Sequence, residues 1–258
     1  MNRRLAATLR RFLPERVANW LARYRKMFLV ILQFRGRHKR ECPICGYRGR
    51  FYAVGVPLRF DAACYRCSSV ERHRQHHLLT ERNPDWIDGA EVLHFGAERC
   101  FVRDYSSRAS RYIRADLIPA ENETKVDIQS IQFEDDSFDT VICHQILEHV
   151  PDDMAAVREL YRVTRPLGRV LLTAPIVPKW QSSFTDVSVT SGEQRDLLFG
   201  QSDHLRYYGQ DFTDMLRGAG FDITEHVAHE PEVSKYSLVR GETIFVATKS
   251  VNSQPVRH

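Results

Sequence analysis

The chain lacks the marks of several protein classes. No apolar run approaches the roughly 20 residues that a membrane-crossing helix needs; the longest lies within Met27–Leu32. Six cysteines in 258 residues are too few for a disulfide-stapled scaffold. No internal repeat or low-complexity tract is present, which excludes solenoids and linker-like chains. The positive N-terminus is not followed by a compact apolar core with a small-residue cleavage site, so no signal peptide is expected. Acids are scarce at the start. Residues 1–40 hold twelve Lys or Arg against one acid, Glu15, and the formal net charge of +4 therefore leaves −7 on the rest. A basic arm on an acidic body directs only the arm towards anionic partners.

Within that arm, Leu9, Phe12 or Leu13, Val17, Trp20 or Leu21, Tyr24, Phe28 and Leu32 recur at helical steps, interrupted at Pro14. Arg10, Arg11, Arg16, Arg23, Arg25 and Lys26 occupy the other faces. The pattern fits a helix packed on the body, or one lying in an anionic membrane surface. Binding to a phosphate backbone is a third reading.

What cysteine there is comes mostly in pairs. Cys42-Pro-Ile-Cys45 and Cys64-Tyr-Arg-Cys67 are eighteen residues apart. Two such knuckles can present four thiolates to one zinc ion and leave no open position, which makes the site structural. A redox Cys-x-x-Cys needs no twin. Arg50–Val54 and Pro57–Phe60 read as strands of a zinc ribbon, and Ser68-Ser69-Val70-Glu71 as a capping box opening a helix. His73, His76 and His77 on that helix read as surface or interface residues. Cys100 and Cys143 read as small core residues. Paired thiols fit a reducing compartment, so a cytoplasmic protein is expected, with possible peripheral membrane contact through residues 1–35.

The body, residues 88–250, alternates apolar strand segments with helical ones, which argues a mostly parallel sheet covered on both faces. Its first strand, in Glu91–Cys100, ends at Gly96, and Asp116 follows twenty residues later. A strand, a glycine turn and an acid about 20 residues on is a layout for holding a nucleoside. The turn is poor in glycine, however: it has one where the full fingerprint has three.

A more specific signal lies downstream. The runs Phe133–Val150, containing Cys-His-Gln-Ile-Leu-Glu-His-Val, and Glu159–Pro175 resemble the fourth- and fifth-strand signatures of class I S-adenosylmethionine-dependent methyltransferases. The preceding cysteine module resembles a bacterial branch of that family. The resemblance implies a Rossmann-like α/β fold: a seven-stranded methyltransferase sheet with its last strand antiparallel, helices on both faces, and a small N-terminal zinc ribbon. It implies S-adenosylmethionine as cofactor, held by Gly96 through its backbone, Asp116 at the ribose, and Asp127 with Ile128 at the adenine. His144 would stand at the sulfonium end. His94 stands where the family commonly has an acid and Glu98 where it has glycine; both are assigned to the same cofactor loop.

Residues 176–210 interrupt the alternation and are expected to cover the cofactor and shape the acceptor pocket. Phe199–Gly209 resembles the branch's Phe-Gly-Gln-x-Asp-His-x-Arg-x-Tyr motif. If the acceptor is a hydroxyl, His204 is the expected base, oriented by Asp203; a network that only pins the loop is the competing reading. Arg206, Tyr208 and Asp186 are the expected substrate contacts. His149 is expected to serve backbone groups. The chain thus divides into a basic helical arm (1–40), a zinc-ribbon-like module (41–75), a methyltransferase domain (76–250) and a disordered tail (251–258). The expected function is methyl transfer to a small-molecule or glycan acceptor, with nucleic acid an unlikely partner. The alternatives are a noncatalytic zinc-ribbon and Rossmann-like binding protein and, third, an RNA methyltransferase.

Overall fold

The computed structural model describes residues 35–55 and 58–251. The readings made for the arm up to residue 34, and for nearly all of the tail, fall outside them. Among the described residues no helix is long and apolar enough to cross a membrane. The described residues form two compact units: those up to 74 with 230–238, and those at 75–229 with 239–251.

The first unit is built on an antiparallel sheet of β1 (Arg35–Glu41), β2 (Arg48–Val54) and β3 (Arg59–Ala63) in that order. The first strand overlaps the end of the segment assigned above to the arm. Cys42, Phe51 and Cys64 form its small core, with Ile44 and Tyr47 packed against them. So small a core needs a further tie. One is Arg74, which is fully buried. Its guanidinium donates to the carbonyls of Ala62, Ser69, Tyr236 and Ser237 and lies 4.6 Å over the Phe51 ring. The segment 230–238 therefore belongs to this unit through main-chain oxygens, which leave no mark in a sequence pattern.

Arg74 sits on α1 (Glu71–Arg82). The capping box expected at its start is not what forms. Glu71 pairs with Arg59 at 3.1 Å, the Ser69 hydroxyl lies against two cysteine sulfurs, and His73 Nδ1 accepts the Val70 N–H.

The second unit has the expected seven-stranded sheet. Its strands are β4 (Glu91–Phe95), β5 (Arg111–Asp116), β6 (Thr124–Lys125), β7 (Phe138–His144) and β8 (Thr164–Thr173). A two-strand ladder of β9 (Phe184–Thr185) and β10 (Arg206–Tyr207) stands apart. β11 (Phe221–Val227) and β12 (Thr243–Lys249) complete the sheet. The order is β11-β12-β8-β7-β4-β5-β6. Every pairing from β6 to β8 is parallel, and β12 alone runs antiparallel, between β8 and β11.

Central strands are buried on both faces, so their residues are apolar without alternation. Leu93, Phe95, Val141, Cys143, Val170 and Leu172 join one core with Val157 and Leu160 of α3 (Asp153–Val163) and Leu216. The next residues in register face the other way: the His94 ring lies against Phe101 and Tyr105 of α2 (Arg99–Arg108). At the entry to α3, Asp152 caps the helix by accepting the Ala155 N–H at 2.8 Å. Two further helices, α4 (Gly192–Phe199) and α5 (Phe212–Gly218), follow β9 and β10.

Candidate functional site

Parallel strands deliver their carboxyl ends to one edge of a sheet, and a cleft opens where the strand order reverses. Here β4 lies between β5 and β7, and a cavity of about 680 Å³ lies at their ends. Its wall includes Phe95 and Gly96 at the end of β4, Asp116 to Ile118 at the end of β5, Val126 to Gln129 after β6, and Gln145 and Ile146 after β7. His149 to Pro151 add to it, and Arg195, Ser202, Asp203 and Leu205 come from the 176–210 segment. That segment thus reaches the cavity as expected.

Gly96 has φ +59°, a left-handed turn that favours glycine, and a Cβ there would also crowd Ile146 Cδ1 at 3.2 Å. Asp116 and Asp127 share one device. Each commits Oδ1 to the N–H two residues on, Ile118 at 2.8 Å and Gln129 at 2.9 Å, which fixes the carboxylate on the cavity wall. A wall with one close-approach backbone turn, two carboxylates at strand ends and apolar Phe95, Leu117, Ile118 and Ile128 suits a nucleoside with a polar tail. The residues present therefore fit S-adenosylmethionine.

Three of the expected cofactor residues lie elsewhere. His94 is fully buried, with Nδ1 2.9 Å from the Tyr112 hydroxyl and Nε2 2.9 Å from Glu98 Oε2. The pleat turns His94 to the α2 face, and Glu98 follows it there. Burial, with Glu98 nearby, pushes the Tyr112 phenol up. His144 is on the same face. Its Nε2 lies 2.8 Å from His76 Nδ1 and its Nδ1 3.2 Å from Thr173 Oγ1; the His76 Nε2 meets the Tyr105 hydroxyl at 2.8 Å. These side chains form a buried polar chain beneath the strand ends. Gln145, with φ +53°, is the residue that turns into the cavity.

The expected base is also displaced. His204 is 4% exposed and does not line the cavity. Asp203 orients His149 instead: its main-chain oxygen lies 3.2 Å and its Oδ2 3.3 Å from His149 Nδ1. Neighbouring loop residues point opposite ways, so Asp203 reaches solvent while His204 packs edge-on against His149 at 4.7 Å. Burial, and then His149, hold the His204 imidazole below its ordinary value. His149 does meet a backbone oxygen, as expected, but it also lines the cavity.

Arg206 anchors structure: it is buried and donates to the carbonyls of Leu147, Val150 and Pro151. The Tyr208 hydroxyl donates to Asp153 at 2.9 Å. Asp186 accepts from Ser188 in an exposed turn. None of the three lines the cavity. Arg195, given no role above, does; its Nε is buried without a hydrogen-bond partner. A second cavity of about 850 Å³ lies beyond β8, β11 and β12 and shares Gln145 with the first.

In the first unit the four paired cysteines come together. Cys42 and Cys67 sulfurs are 3.6 Å apart, as are those of Cys45 and Cys64. Zinc–thiolate bonds of about 2.3 Å in a tetrahedron put sulfurs roughly 3.8 Å apart, and a disulfide needs about 2.05 Å. The knuckles repeat one geometry. Gly46 and Ser68 each donate N–H to the carbonyl of the cysteine four residues before, with φ +70° and +58°. The donor set fits zinc.

The family model described as a methyltransferase domain matches residues 89–172. With the strand order above, this match supports a class I S-adenosylmethionine-dependent methyltransferase fold for this part of the chain. A demethylmenaquinone methyltransferase of Streptomyces griseus is 42% identical over 57 residues, 22% of this chain and 25% of that protein. A protein of Mycolicibacterium smegmatis, named as a probable S-adenosylmethionine-dependent methyltransferase, is 25% identical over 161 residues, 62% of this chain. The chain thus spans a quarter of the first relative and 58% of the second. Among solved structures, the cyclase SpnF superposes with a TM-score of 0.51 at 16% identity, covering 71% of this chain and 84% of that one. That likeness is one of fold alone.

Proposed function

We propose that this protein transfers a methyl group from S-adenosylmethionine to a small-molecule or glycan acceptor. The observation that carries the reading is the strand-end cavity, with the Gly96 turn and the Asp116 and Asp127 carboxylates on one wall, inside the segment that matches the methyltransferase model. S-adenosylmethionine, when bound, supplies an electrophilic methyl on a sulfonium. The chain's part is alignment and exclusion of water. Asp116 accepts from the ribose hydroxyls, and Asp127 with the Ile128 backbone receives the adenine edge. Arg195 meets an anionic group. Gln145 stands between the two cavities, and the 850 Å³ one holds the acceptor. His204 is not carried forward as the base. The polar groups left near the junction are Gln145, His149 and Asp203. The four cysteines hold a structural zinc ion.

Isothermal calorimetry with S-adenosylmethionine and S-adenosylhomocysteine tests the reading. One site per chain at micromolar to tens-of-micromolar Kd is expected. No heat at millimolar ligand would overturn it in favour of a noncatalytic binding protein.

A further inference from the structure

Glu148, His149 and His204 each bring one ligand-type atom to a common point, all within 4.8 Å of one another. Glu148 and His149 close the short turn Leu147–His149. His204 arrives from the covering segment, tied to that turn by the Leu205 N–H to Glu148 carbonyl bond at 2.9 Å. Three observations bear on what the cluster is for. Glu148 is fully buried and His204 is 4% exposed, so two polar side chains have been taken out of water. His204 Nδ1 is itself buried and has no hydrogen-bond partner, an unfavourable state for an imidazole nitrogen unless something supplies the missing bond. His149 Nδ1 faces the Asp203 main-chain oxygen. That contact fixes the proton on Nδ1 and leaves the Nε2 lone pair available, as in ligating histidines held by an outer oxygen.

We propose that Glu148, His149 and His204 bind a single divalent transition-metal ion, distinct from the cysteine site. Two imidazole nitrogens and a carboxylate suit Zn²⁺, Fe²⁺, Co²⁺ or Mn²⁺ rather than Mg²⁺ or Ca²⁺, which take oxygen ligands. Three protein ligands leave coordination positions open. Glu148 and His204 are walled in, whereas His149 lines the cofactor cavity, so the open positions look into that cavity. There the ion would hold water or an acceptor hydroxyl and favour loss of its proton. This last role rests on the methyltransferase reading; the site itself does not.

The test uses the full chain loaded with zinc at its cysteines, without cofactor, and titrates Co²⁺. One Co²⁺ per chain is expected, with weak visible ligand-field absorption and no thiolate charge-transfer band. Glu148→Gln and His149→Ala should each lower the affinity at least tenfold. Because Glu148 is buried, the decisive variant is His149→Ala at a partly exposed position, with thermal melts confirming its fold. Wild-type protein that takes up no Co²⁺, gives only a thiolate spectrum, or matches folded His149→Ala in affinity would overturn the site. S-adenosylhomocysteine calorimetry on the same samples separates the two readings. Cofactor binding without Co²⁺ removes the metal site alone; Co²⁺ binding without cofactor binding keeps the site and removes the methyltransferase reading.

Discussion

On the proposed reading, Asp116 is the residue on which cofactor recognition turns. One of its carboxylate oxygens holds its own loop, so a single substitution can confuse a lost ligand contact with a collapsed turn. Asparagine separates them, since its carbonyl keeps the turn acceptor and its amide replaces the second acceptor with a donor. Asp116→Asn should leave the melting temperature within about 2 °C, a shift expected of sub-kcal changes. It should also weaken S-adenosylhomocysteine by about 10- to 100-fold, the worth of hydrogen bonds to a charged acceptor. Calorimetry beside a thermal melt reads both. An equal loss in the two would mean that Asp116 only shapes the loop.

Arg206 makes the opposite point. It follows the Asp-His pair in a motif that invites a catalytic reading, yet its fork is spent on three carbonyls around the Leu147–His149 turn. Its Nε lies 3.5 Å from Asp153. Removing a buried, fully engaged guanidinium costs about 3 kcal/mol. Arg206→Ala should lower the denaturant midpoint accordingly and weaken cofactor binding through the displaced turn, and Lys should not rescue it, lacking the planar fork. Chemical denaturation of the two variants checks this.

Among the elements, α3 carries the clearest pH dependence. Glu159 and Arg162 lie one turn apart, with Nε to Oε1 at 2.7 Å, and Glu159 Oε2 also accepts the Ile131 N–H. The Arg162 hydrogen bond holds the Glu159 carboxyl below its ordinary 4.5. A depressed folded value means the contribution is present above the unfolded value and lost as the pH falls through the folded one. The wild-type advantage over Glu159→Gln should therefore hold at neutral pH down to the ordinary carboxyl value and shrink progressively as the pH falls below it. Urea melts along that series measure it. The pair is partly exposed, so the advantage is modest.

At the scale of the whole molecule, the two units depend on different forces. The larger has a continuous apolar core; the smaller has a few buried residues, Arg74 and the four cysteines. Zinc removal by a strong chelator, or Cys67→Ser, should melt the smaller unit while the larger keeps a cooperative transition, because metal binding is then folding free energy. Calorimetric melts with and without chelator distinguish this from a single joint transition. The basic arm makes a separate prediction. If the arm lies in an anionic membrane surface, the full chain should sediment with anionic vesicles in a salt-sensitive way, and deleting residues 1–34 should abolish this and leave cofactor affinity unchanged; no sedimentation of the full chain, or retained sedimentation after the deletion, would remove the membrane reading.

Local chemistry determined much of this protein. Paired cysteines, a strand ending at Gly96 and an acid twenty residues on are each set by residue type and spacing along the chain, and each is where the sequence puts it. Tertiary structure decided what spacing cannot express. His94 and His144 lie on strands buried on both faces, so no polar alternation betrays which way they point, and the sheet turns them away from the cavity. His149 and His204 are far apart in sequence and become one cluster only when the covering segment folds back. Arg74 holds residues 236 and 237 by their main-chain oxygens, which every residue has and no sequence displays.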